Sequence, residues 1–279
     1  MNVQARTLCG IAAPAAVLCA LLLPLAAPAA TTPPDARLVR MVDSTERTPK
    51  YAARDTARHP VEELHFFGLK PEQTVIEMWP GGGYWTEILA PYLRDKGHYI
   101  AALSPDVPDD EEGSTKKKWL ASVEARAAFF GPVKVVRFGK GALDLGAPGS
   151  ADLIVTFRNL HNWVGDGYAD EALAACFRAL KPGGILGIED HRGRTDVAQD
   201  PKAANGYIRE DYTIALVEKA GFKLVGKSEI NANPRDTKDW VDGVWTLPPT
   251  LSQGDRDREK YVAIGEADNF VLKFEKPRR

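Results

Sequence analysis

From about residue 61 to its end, the chain alternates short apolar runs with longer amphipathic segments. Apolar runs bounded by turn residues are typical of buried strands, and apolar positions three or four residues apart are typical of helices. The pattern predicts strands at residues 75–78, 99–103, 133–138, 153–157, 185–188, 223–230 and 270–275. It predicts helices at residues 35–48, 84–93, 117–130, 168–180 and 211–220.

Strands that alternate with helices indicate a parallel sheet, because two parallel strands need a long crossover connection. We therefore predict an α/β fold with a doubly wound, mostly parallel, seven-stranded Rossmann-like sheet and helices on both faces. Residues 61–279 form this domain, and residues 30–60 form a segment that precedes it. About 250 residues are enough for one such domain, so no second domain is required.

The first residues have the features of an export signal. Arg6 precedes an alanine- and leucine-rich run at residues 8–25, and Ala27-Pro28-Ala29 has the small-x-small pattern of a cleavage site. The pattern predicts a signal peptide at residues 1–29. The alternative is an uncleaved membrane anchor, but Pro14 and Pro24 interrupt the apolar run. We expect an exported protein, in a bacterial periplasm, with no stable membrane insertion after cleavage.

Charge and cysteine content exclude some function classes. The net charge is −2, and no basic stripe marks the chain, which argues against nucleic acid as a partner. After cleavage Cys176 would be the one remaining cysteine, at an apolar helical position, and we predict a core thiol rather than a nucleophile. The sequence carries no signal for an oligomeric state.

A glycine-rich turn follows the first predicted strand. Gly81, Gly82 and Gly83 lie between that strand and a helix, and Glu77 lies near the strand's end. In a doubly wound sheet this turn is at the edge where ligands bind. Glycines let the backbone approach a ligand closely and accept positive φ. The turn therefore predicts a ligand site.

These features resemble the class I S-adenosylmethionine-dependent methyltransferases. A closer resemblance, to a group of exported predicted methyltransferases, rests on the stretches PKYAARD (residues 49–55), WPGGG (79–83), FRNLHNW (157–163), EDHR (189–192) and GVWTLPP (243–249). The resemblance implies S-adenosylmethionine as methyl donor and a small molecule as acceptor.

By this resemblance, the turn surrounds the methionine and ribose parts of the donor. The family pattern there is acidic-x-Gly-x-Gly-x-Gly, and Trp79 stands where the first glycine belongs. Its indole either fills part of the cleft or is an aromatic side chain of the core or rim. The candidate donor-binding residues of the turn are Glu77, Trp79, Pro80, Gly81, Gly82 and Gly83.

Two further positions depart from the family pattern. Leu103 ends the second strand, where many relatives have an acidic residue that accepts hydrogen bonds from the ribose hydroxyls; Ser104 and Asp106 follow as candidates. After the third strand, the stretch that contains Lys140 has no acid to meet the adenine amino group, and Asp144 is the nearest candidate. Each lost charge-assisted hydrogen bond forgoes about 1.5–3 kcal/mol.

Polar residues continue the fourth and fifth strands. His161 is the first candidate for a general base, because the pKa of histidine normally lies near neutrality. His191 and Asp190 are further candidate catalytic residues, and Arg158 and Asn159 are candidate donor-binding residues. Alternatively, either histidine caps a strand end and binds a loop.

For other residues near these strand ends, the sequence is compatible with two roles. Arg158 and Arg192 either clamp an anionic acceptor or pair with Glu189 or Asp190. Residues 231–236 form another wall of the cleft or a turn. The sequence has no His-x-x-x-His, Cys-x-x-Cys or Glu-x-x-His pattern, so we predict no metal site.

The segment before the first strand resembles a lid that folds over the donor in many relatives. Tyr51, Arg54 and His59 are then candidates for ligand contact, and a surface helix is the alternative. A second hypothesis for the whole protein is a binding or accessory protein that keeps the fold without methyl transfer, because a fold alone does not define a function. Trp79, Leu103 and Lys140 favour that second hypothesis.

Overall fold

The computed structural model describes residue 1, residues 33–105 and residues 115–278. Contacts divide the chain into two units, Met1–Pro33 and Pro34–Arg279, and every element described below belongs to the second. The predicted signal peptide, residues 1–29, lies outside the described residues except for Met1. No helix in the described part combines the length and apolarity needed to cross a membrane.

Eight strands of the described part form one sheet in the order β4-β3-β2-β1-β5-β6-β8-β7. The strands are β1 Thr74–Met78, β2 His98–Leu103, β3 Val133–Gly139, β4 Ala142–Leu143, β5 Ala151–Phe157, β6 Leu180–His191, β7 Lys223–Ser228 and β8 Asn269–Glu275. Strands β1, β2, β3, β5 and β6 are parallel, and β8 is antiparallel to β6 and β7. The predicted fold class is confirmed. The strand count exceeds the prediction by one, because the two-residue β4 folds back on the end of β3.

Helices cover both faces of the sheet. They are α1 Ala36–Val42, α2 Pro49–Ala52, α3 Asp55–Arg58, α4 Pro60–Phe67, α5 Thr86–Leu93, α6 Thr115–Ala125, α7 Ala127–Phe130, α8 Leu160–Gly165, α9 Ala169–Ala179, α10 Glu210–Lys219 and α11 Arg258–Ile264, with a 3₁₀ turn at Gly243–Thr246. Helices α5, α9 and α10 match predicted helices to within two residues, which is the usual uncertainty of helix ends.

Two predicted helices are shorter or broken. The helix predicted at residues 35–48 ends at Val42, where the Arg47 guanidinium donates to the Val42 carbonyl at 2.7 Å. The helix predicted at residues 117–130 is interrupted at Arg126, whose guanidinium donates to the Glu87 carboxylate at 2.6 Å and to the Glu46 carbonyl. In the first place the arginine replaces the backbone donor that a continuing helix would offer to the Val42 carbonyl, and in the second it ties the break to α5 and to the segment before α2.

The core follows the alternation of side chains along the central strands. In β1, Ile76 and Met78 belong to the cluster under α8 and α9, whereas Val75 belongs to the cluster under α1, α4 and α5. Such burial on both faces is typical of a parallel strand between helix layers. Cys176 is fully buried in the first cluster, and burial raises the pKa of its thiol to about 12. The prediction of a core thiol is confirmed.

The segment before the sheet is anchored to it by buried polar groups. Arg47 is fully buried and pairs with Asp55 at 2.6 Å, and the Tyr84 hydroxyl donates to the same carboxylate at 2.6 Å. The backbone N–H and the hydroxyl of Thr48 both donate to Glu87 in α5, at 2.7 and 2.6 Å. Helices α2 and α3 are thereby held beside the glycine turn. A lid function for this segment stays a prediction.

Candidate active site

A cavity of about 360 Å³ lies at the edge of the sheet where the strand order reverses. From β1 the chain continues to β2 and β3 on one side, and later to β5 and β6 on the other. The loops after β1 and β5 therefore diverge and leave a crevice between them. Glu77, Trp79, Pro80, Gly81 and Gly82 line the cavity from the β1 side. The predicted turn residues thus line a cavity, and their role in ligand binding stays a prediction.

The ends of β5 and β6 form the opposite side. Arg158, Asn159, His161 and His191 line the cavity there, as the parallel strands predict. The Asn159 amide donates to the Met78 carbonyl at 3.0 Å and so joins the two strand ends. Arg158 has a left-handed backbone with φ of 62°, which costs free energy in a residue with a side chain and is typical of functional sites.

His161 and Asp190 form a buried pair in this wall. His161 Nδ1 lies 2.7 Å from Asp190 Oδ1, and the His161 backbone N–H donates to Asp190 Oδ2 at 3.0 Å. Burial raises the pKa of Asp190, but His161 more than offsets this, and the pKa lies below its usual value. In the tautomer that this pair favours, the His161 Nδ1–H donates to ionised Asp190, so Nε2 is the basic atom that remains for the cavity.

His191 is held in a different way. Its Nδ1 lies 2.8 Å from the Asn269 side-chain oxygen. Loss of hydration lowers the pKa of His191 to about 3, and neighbouring His161 and Arg158 act in the same direction. His191 is therefore neutral at physiological pH, and it contributes a polar ring to the cavity without a charge.

Among the described residues, His161, Asp190 and His191 form the single group whose ligand atoms lie close enough, within 4.8 Å, to hold a metal ion. Asp190 Oδ1 already faces His161 Nδ1 and accepts from the His191 backbone N–H at 2.8 Å, and Asp190 Oδ2 accepts from the His161 backbone N–H. A metal bound by Asp190 would have to compete with these bonds, since both carboxylate oxygens already accept hydrogen bonds, and Arg158 nearby disfavours a cation. We assign no metal to the group.

The structure places several predicted residues away from the cavity. Gly83 faces Trp119, because a Cβ at Gly83 would lie 3.1 Å from the indole. Asp144 is exposed and accepts from the Gly146 backbone N–H at 2.8 Å. Ser104 follows β2 and does not line the cavity. Asp106 lies outside the described residues.

Three further expectations are corrected or refined. Arg192 pairs with Glu210, Glu229 and Asp268, not with Glu189 or Asp190. His59 does not line the cavity, and its Nδ1 lies 3.1 Å from the Asn231 side-chain oxygen. Residues 231–235 line a separate cavity that also contains His59, together with residues 265–267.

Glu77 uses its carboxylate inside the protein. Tyr99 donates to Glu77 Oε2, and the Thr86 hydroxyl lies 3.0 Å from the same oxygen. Burial raises the pKa of Glu77 to about 7, although both hydrogen bonds lower it in part. The carboxylate thus ties β1 to β2 and to the start of α5 below the glycine turn.

Trp79 occupies the side of the crevice toward β2 and β3. Its indole N–H donates to the Phe138 carbonyl at 2.7 Å, and its ring packs edge to face against Trp163 at 6.0 Å. Because β2 lies between β1 and β3, an indole that joins the end of β1 to Phe138 lies across the carboxyl end of β2. Accordingly, none of the described residues between 86 and 156 lines the cavity.

These contacts test whether S-adenosylmethionine fits. The open space above Gly81, where a Cβ would meet nothing within 4 Å, suits the methionine part. By resemblance, the ribose and adenine would lie beside the ends of β2 and β3, where the Trp79 indole lies. The residues therefore fit the methionine half of the donor, and the adenosine half fits only if the indole moves.

Three residues that complete the cavity were not predicted. Arg58 in α3 and Glu266 before β8 line it, and Trp245 in the 3₁₀ turn forms part of its rim. In the sequence, Arg58 is a basic residue close to Tyr51 and Arg54, and no motif marks it as a cavity residue. Trp245 lies in the GVWTLPP stretch that carries the family resemblance, and Glu266 has no signal in the sequence pattern.

Comparisons with solved structures support the fold. The chain superposes on a SAM-dependent methyltransferase from Aquifex aeolicus with a TM-score of 0.54, at 17% identity over 86% of this chain and 98% of that one. A SAM-dependent methyltransferase from Methanosarcina mazei gives a TM-score of 0.50, at 14% identity over 77% and 97% of the two chains. No protein-family model matches the chain. A search of curated proteins finds no match.

The same fold also occurs in the [4+2]-cyclase SpnF, with a TM-score of 0.56, at 14% identity over 86% of this chain and 91% of that one. At these identities the similarity establishes the class I methyltransferase fold and nothing more specific. The activity has to be argued from the site.

The raised pKa of Glu77 predicts a pH-dependent stability. The native state holds this proton up to about pH 7, whereas the unfolded chain releases it near the usual value of 4.5. The contribution of this proton to the free energy of unfolding is fully present below pH 4.5 and is lost as the pH rises through 7. Relative to Glu77→Gln, the wild-type free energy of unfolding should fall by roughly 2–3 kcal/mol between pH 5 and pH 8, measured by urea denaturation.

Glu72→Gln is the matched control, because the Glu72 side chain is 62% exposed and pairs with exposed Lys96 at 3.4 Å. Its stability difference from wild type should not change over the same pH range. If the difference in free energy of unfolding between wild type and Glu77→Gln is also independent of pH, Glu77 is ionised in the native state at pH 5.

The geometry of the two histidines predicts their protonation. We expect neutral His161 to carry its proton on Nδ1 and His191 to remain neutral between about pH 4.5 and 8, as ¹⁵N NMR of the rings would show. In Asp190→Asn, the Nε2–H tautomer of His161 should become populated, because the acceptor at Nδ1 has lost its charge. A His191 titration with a midpoint above about pH 5, or an unchanged His161 spectrum in the variant, would contradict this geometry.

Proposed function

We propose that the protein is an S-adenosylmethionine-dependent methyltransferase that acts on a small molecule. The observation that carries the proposal is the Asp190–His161 pair: His161 lines the same cavity as the glycine turn, and Asp190 is buried behind it. A cavity of about 360 Å³ is in the size range of small-molecule sites. The similarity to methyltransferases in solved structures supports the class of reaction.

His161 is proposed as the general base. S-adenosylmethionine supplies an electrophilic methyl group when it is bound. His161 Nε2 accepts a proton from an oxygen, nitrogen or carbon of the acceptor, and ionised Asp190 stabilises the imidazolium that results. Neutral His191 and the Asn159 amide orient the acceptor without adding charge beside the base.

The glycine turn is proposed to hold the methionine part of the donor. The Tyr51 hydroxyl donates to the Gly82 carbonyl and so holds the turn against the N-terminal segment. Trp79 then controls access to the adenosine half, because its indole lies where the resemblance puts the ribose and adenine. We propose that the indole turns away when the donor binds.

Calorimetric titration with S-adenosylmethionine and S-adenosylhomocysteine tests this proposal. Wild-type protein should bind both, and Trp79→Gly should bind at least tenfold more tightly because the indole no longer has to move. Glycine accepts the φ of 47° at this position without strain. Trp79→Phe is the matched control: it keeps a ring in the crevice, and its affinity should stay near that of wild type.

If neither wild type nor Trp79→Gly binds at millimolar ligand, the methyltransferase proposal is wrong. The remaining hypothesis would then be the non-catalytic binding protein. Equal affinities of wild type, Trp79→Gly and Trp79→Phe would show that the indole does not compete with the donor.

We further propose that the protein acts after export. The support is the sequence pattern of residues 1–29, with its basic start, apolar run and small-x-small site. Mass spectrometry of protein recovered from the periplasmic fraction of the producing bacterium should find a mature chain that begins at Ala30. Recovery of the chain from the cytoplasm with residues 1–29 intact would contradict export.

A further inference from the structure

Three arginines in the wall of the cavity converge on one carboxylate. Arg54 donates to Glu266 through Nε at 2.6 Å and through its terminal amino group at 2.8 Å. Arg58 donates through Nε at 3.2 Å, and Arg158 donates at 3.0 Å. All four side chains line the cavity that contains His161. We call Arg54, Arg58 and Arg158 the arginine trio.

The carboxylates near the trio do not balance its charge. Glu266 is ionised: although burial raises its pKa, the arginines lower it to about 2. Glu189 is the other carboxyl group in reach, 4.0 Å from Arg158 Nε. Asp190 is paired with His161. Within the part of the chain that the structure describes, the three guanidinium groups thus face two carboxylates, Glu266 and Glu189, and positive charge is in excess in this wall.

Glu189 offsets this surplus only in part. Burial raises its pKa and Arg158 opposes the rise, and the fully buried Glu63 shares the Asn231 amide with it, at 2.6 Å from Glu63 and 3.2 Å from Glu189. Burial, and next the charge of Glu189, raise the pKa of Glu63 well above its usual value. Burial and mutual repulsion thus disfavour two negative charges on Glu63 and Glu189 beside the trio.

Arg58 has unused hydrogen-bonding capacity inside the protein. Its side chain is only 2% exposed, and among the described residues its one hydrogen bond is the Nε contact with Glu266. Its guanidinium lies over the ring of Tyr84, with the guanidinium carbon 4.4 Å from the ring centre, and its terminal amino groups make no hydrogen bond to the described residues. Buried guanidinium groups are normally paired by forked hydrogen bonds, so these donors are available to a ligand in the cavity.

The walls beside the trio are aromatic. Tyr51, Trp85, Phe157 and the partly exposed Trp245 line the same cavity, and Trp85 and Phe157 are stacked with their ring centres 4.0 Å apart. Such walls suit an apolar or aromatic ligand body, while the trio suits an anionic group. His161 lines the same cavity as the trio, so an anion bound by the trio would hold the rest of its molecule in the cavity that contains the base.

We infer that the arginine trio is an anion-binding site that takes the carboxylate or phosphate group of a small organic ligand. The reaction that such a ligand would undergo rests on the proposed function, whereas anion binding by the trio does not. The anionic group has two possible sources, the acceptor and the carboxylate of the donor, and both present the same chemistry to the guanidinium groups. Glu266 occupies part of the trio when no ligand is bound.

Titration of the purified protein with inorganic phosphate and with benzoate, at low ionic strength and without S-adenosylmethionine, tests the inference. Wild-type protein should bind at least one of the two anions, with a rise in melting temperature. Arg158→Gln should weaken binding at least tenfold, and Arg158→Lys should recover only part of it, because lysine keeps the charge but not the fork.

Arg194→Gln is the matched control, because it removes the same charge from an exposed arginine that pairs with Asp196 outside the cavity. Its affinity should equal that of wild type. Glu266→Gln should bind the anion several-fold more tightly than wild type, because the competing internal carboxylate is gone. If the trio only stabilised the fold and bound no anion, Glu266→Gln would show no increase in affinity for phosphate or benzoate.

Two further titrations identify the source of the anion. If phosphate or benzoate competes with S-adenosylmethionine but not with its decarboxylated analogue, the donor carboxylate is the occupant of the site. If the anion binds together with S-adenosylmethionine, the site belongs to the acceptor. Binding of neither anion by wild type and by Glu266→Gln, with both proteins folded by circular dichroism, would overturn the inference. That result would leave the proposed function standing if S-adenosylmethionine still binds.

Discussion

The reversal of strand order between β1 and β5 is the constraint on which the site depends. Two parallel strands whose following helices leave on opposite faces cannot close the space above their carboxyl ends, so a crevice remains. The protein fills this crevice unequally. The Trp79 indole occupies its β2 side, and polar groups from β5 and β6 surround the rest. A single side chain therefore decides which half of a common ligand crevice is open.

Buried charge organises the open half. Asp190 compensates for its burial by accepting three hydrogen bonds from two neighbouring residues, which also sets the orientation of His161. The arginine trio is compensated less fully, because Glu266 is shared by three guanidinium groups. The pKa of Arg58 is lowered to about 9 by burial and by the charge of Arg158, as expected for a cation without sufficient counter-charge. The cavity thus contains the Asp190–His161 pair, in which the buried carboxylate is fully hydrogen-bonded, and the arginine trio, in which three positive charges share the Glu266 carboxylate.

The sequence predicts the sheet and one side of the site. Apolar runs mark β1, β5 and β6, and because the carboxyl ends of parallel strands share one edge, His161, Asp190 and His191 are expected together. The direction of the Trp79 side chain is not predictable in this way, since it depends on the Phe138 carbonyl two strands away. Arg58 and Glu266 escape prediction because short helices and irregular segments carry them, where no period relates sequence to position. The assignment of donor contacts to Gly83 and Asp144 followed the family pattern and missed that Trp119 and a local turn use these positions.

The pairing of Arg54 with Glu266 has a consequence for how the site forms. These residues are separated by 212 positions, and closing such a long loop costs entropy that is recovered only after the intervening sheet has assembled. As the chain leaves the ribosome or crosses a membrane from its N-terminus, β1, β5 and β6 emerge well before residue 266. The cavity wall is therefore completed only after residue 266 has been added. Until then Arg54 and Arg58 lack their shared Glu266 acceptor, and Arg158 has Glu189 within 4.0 Å.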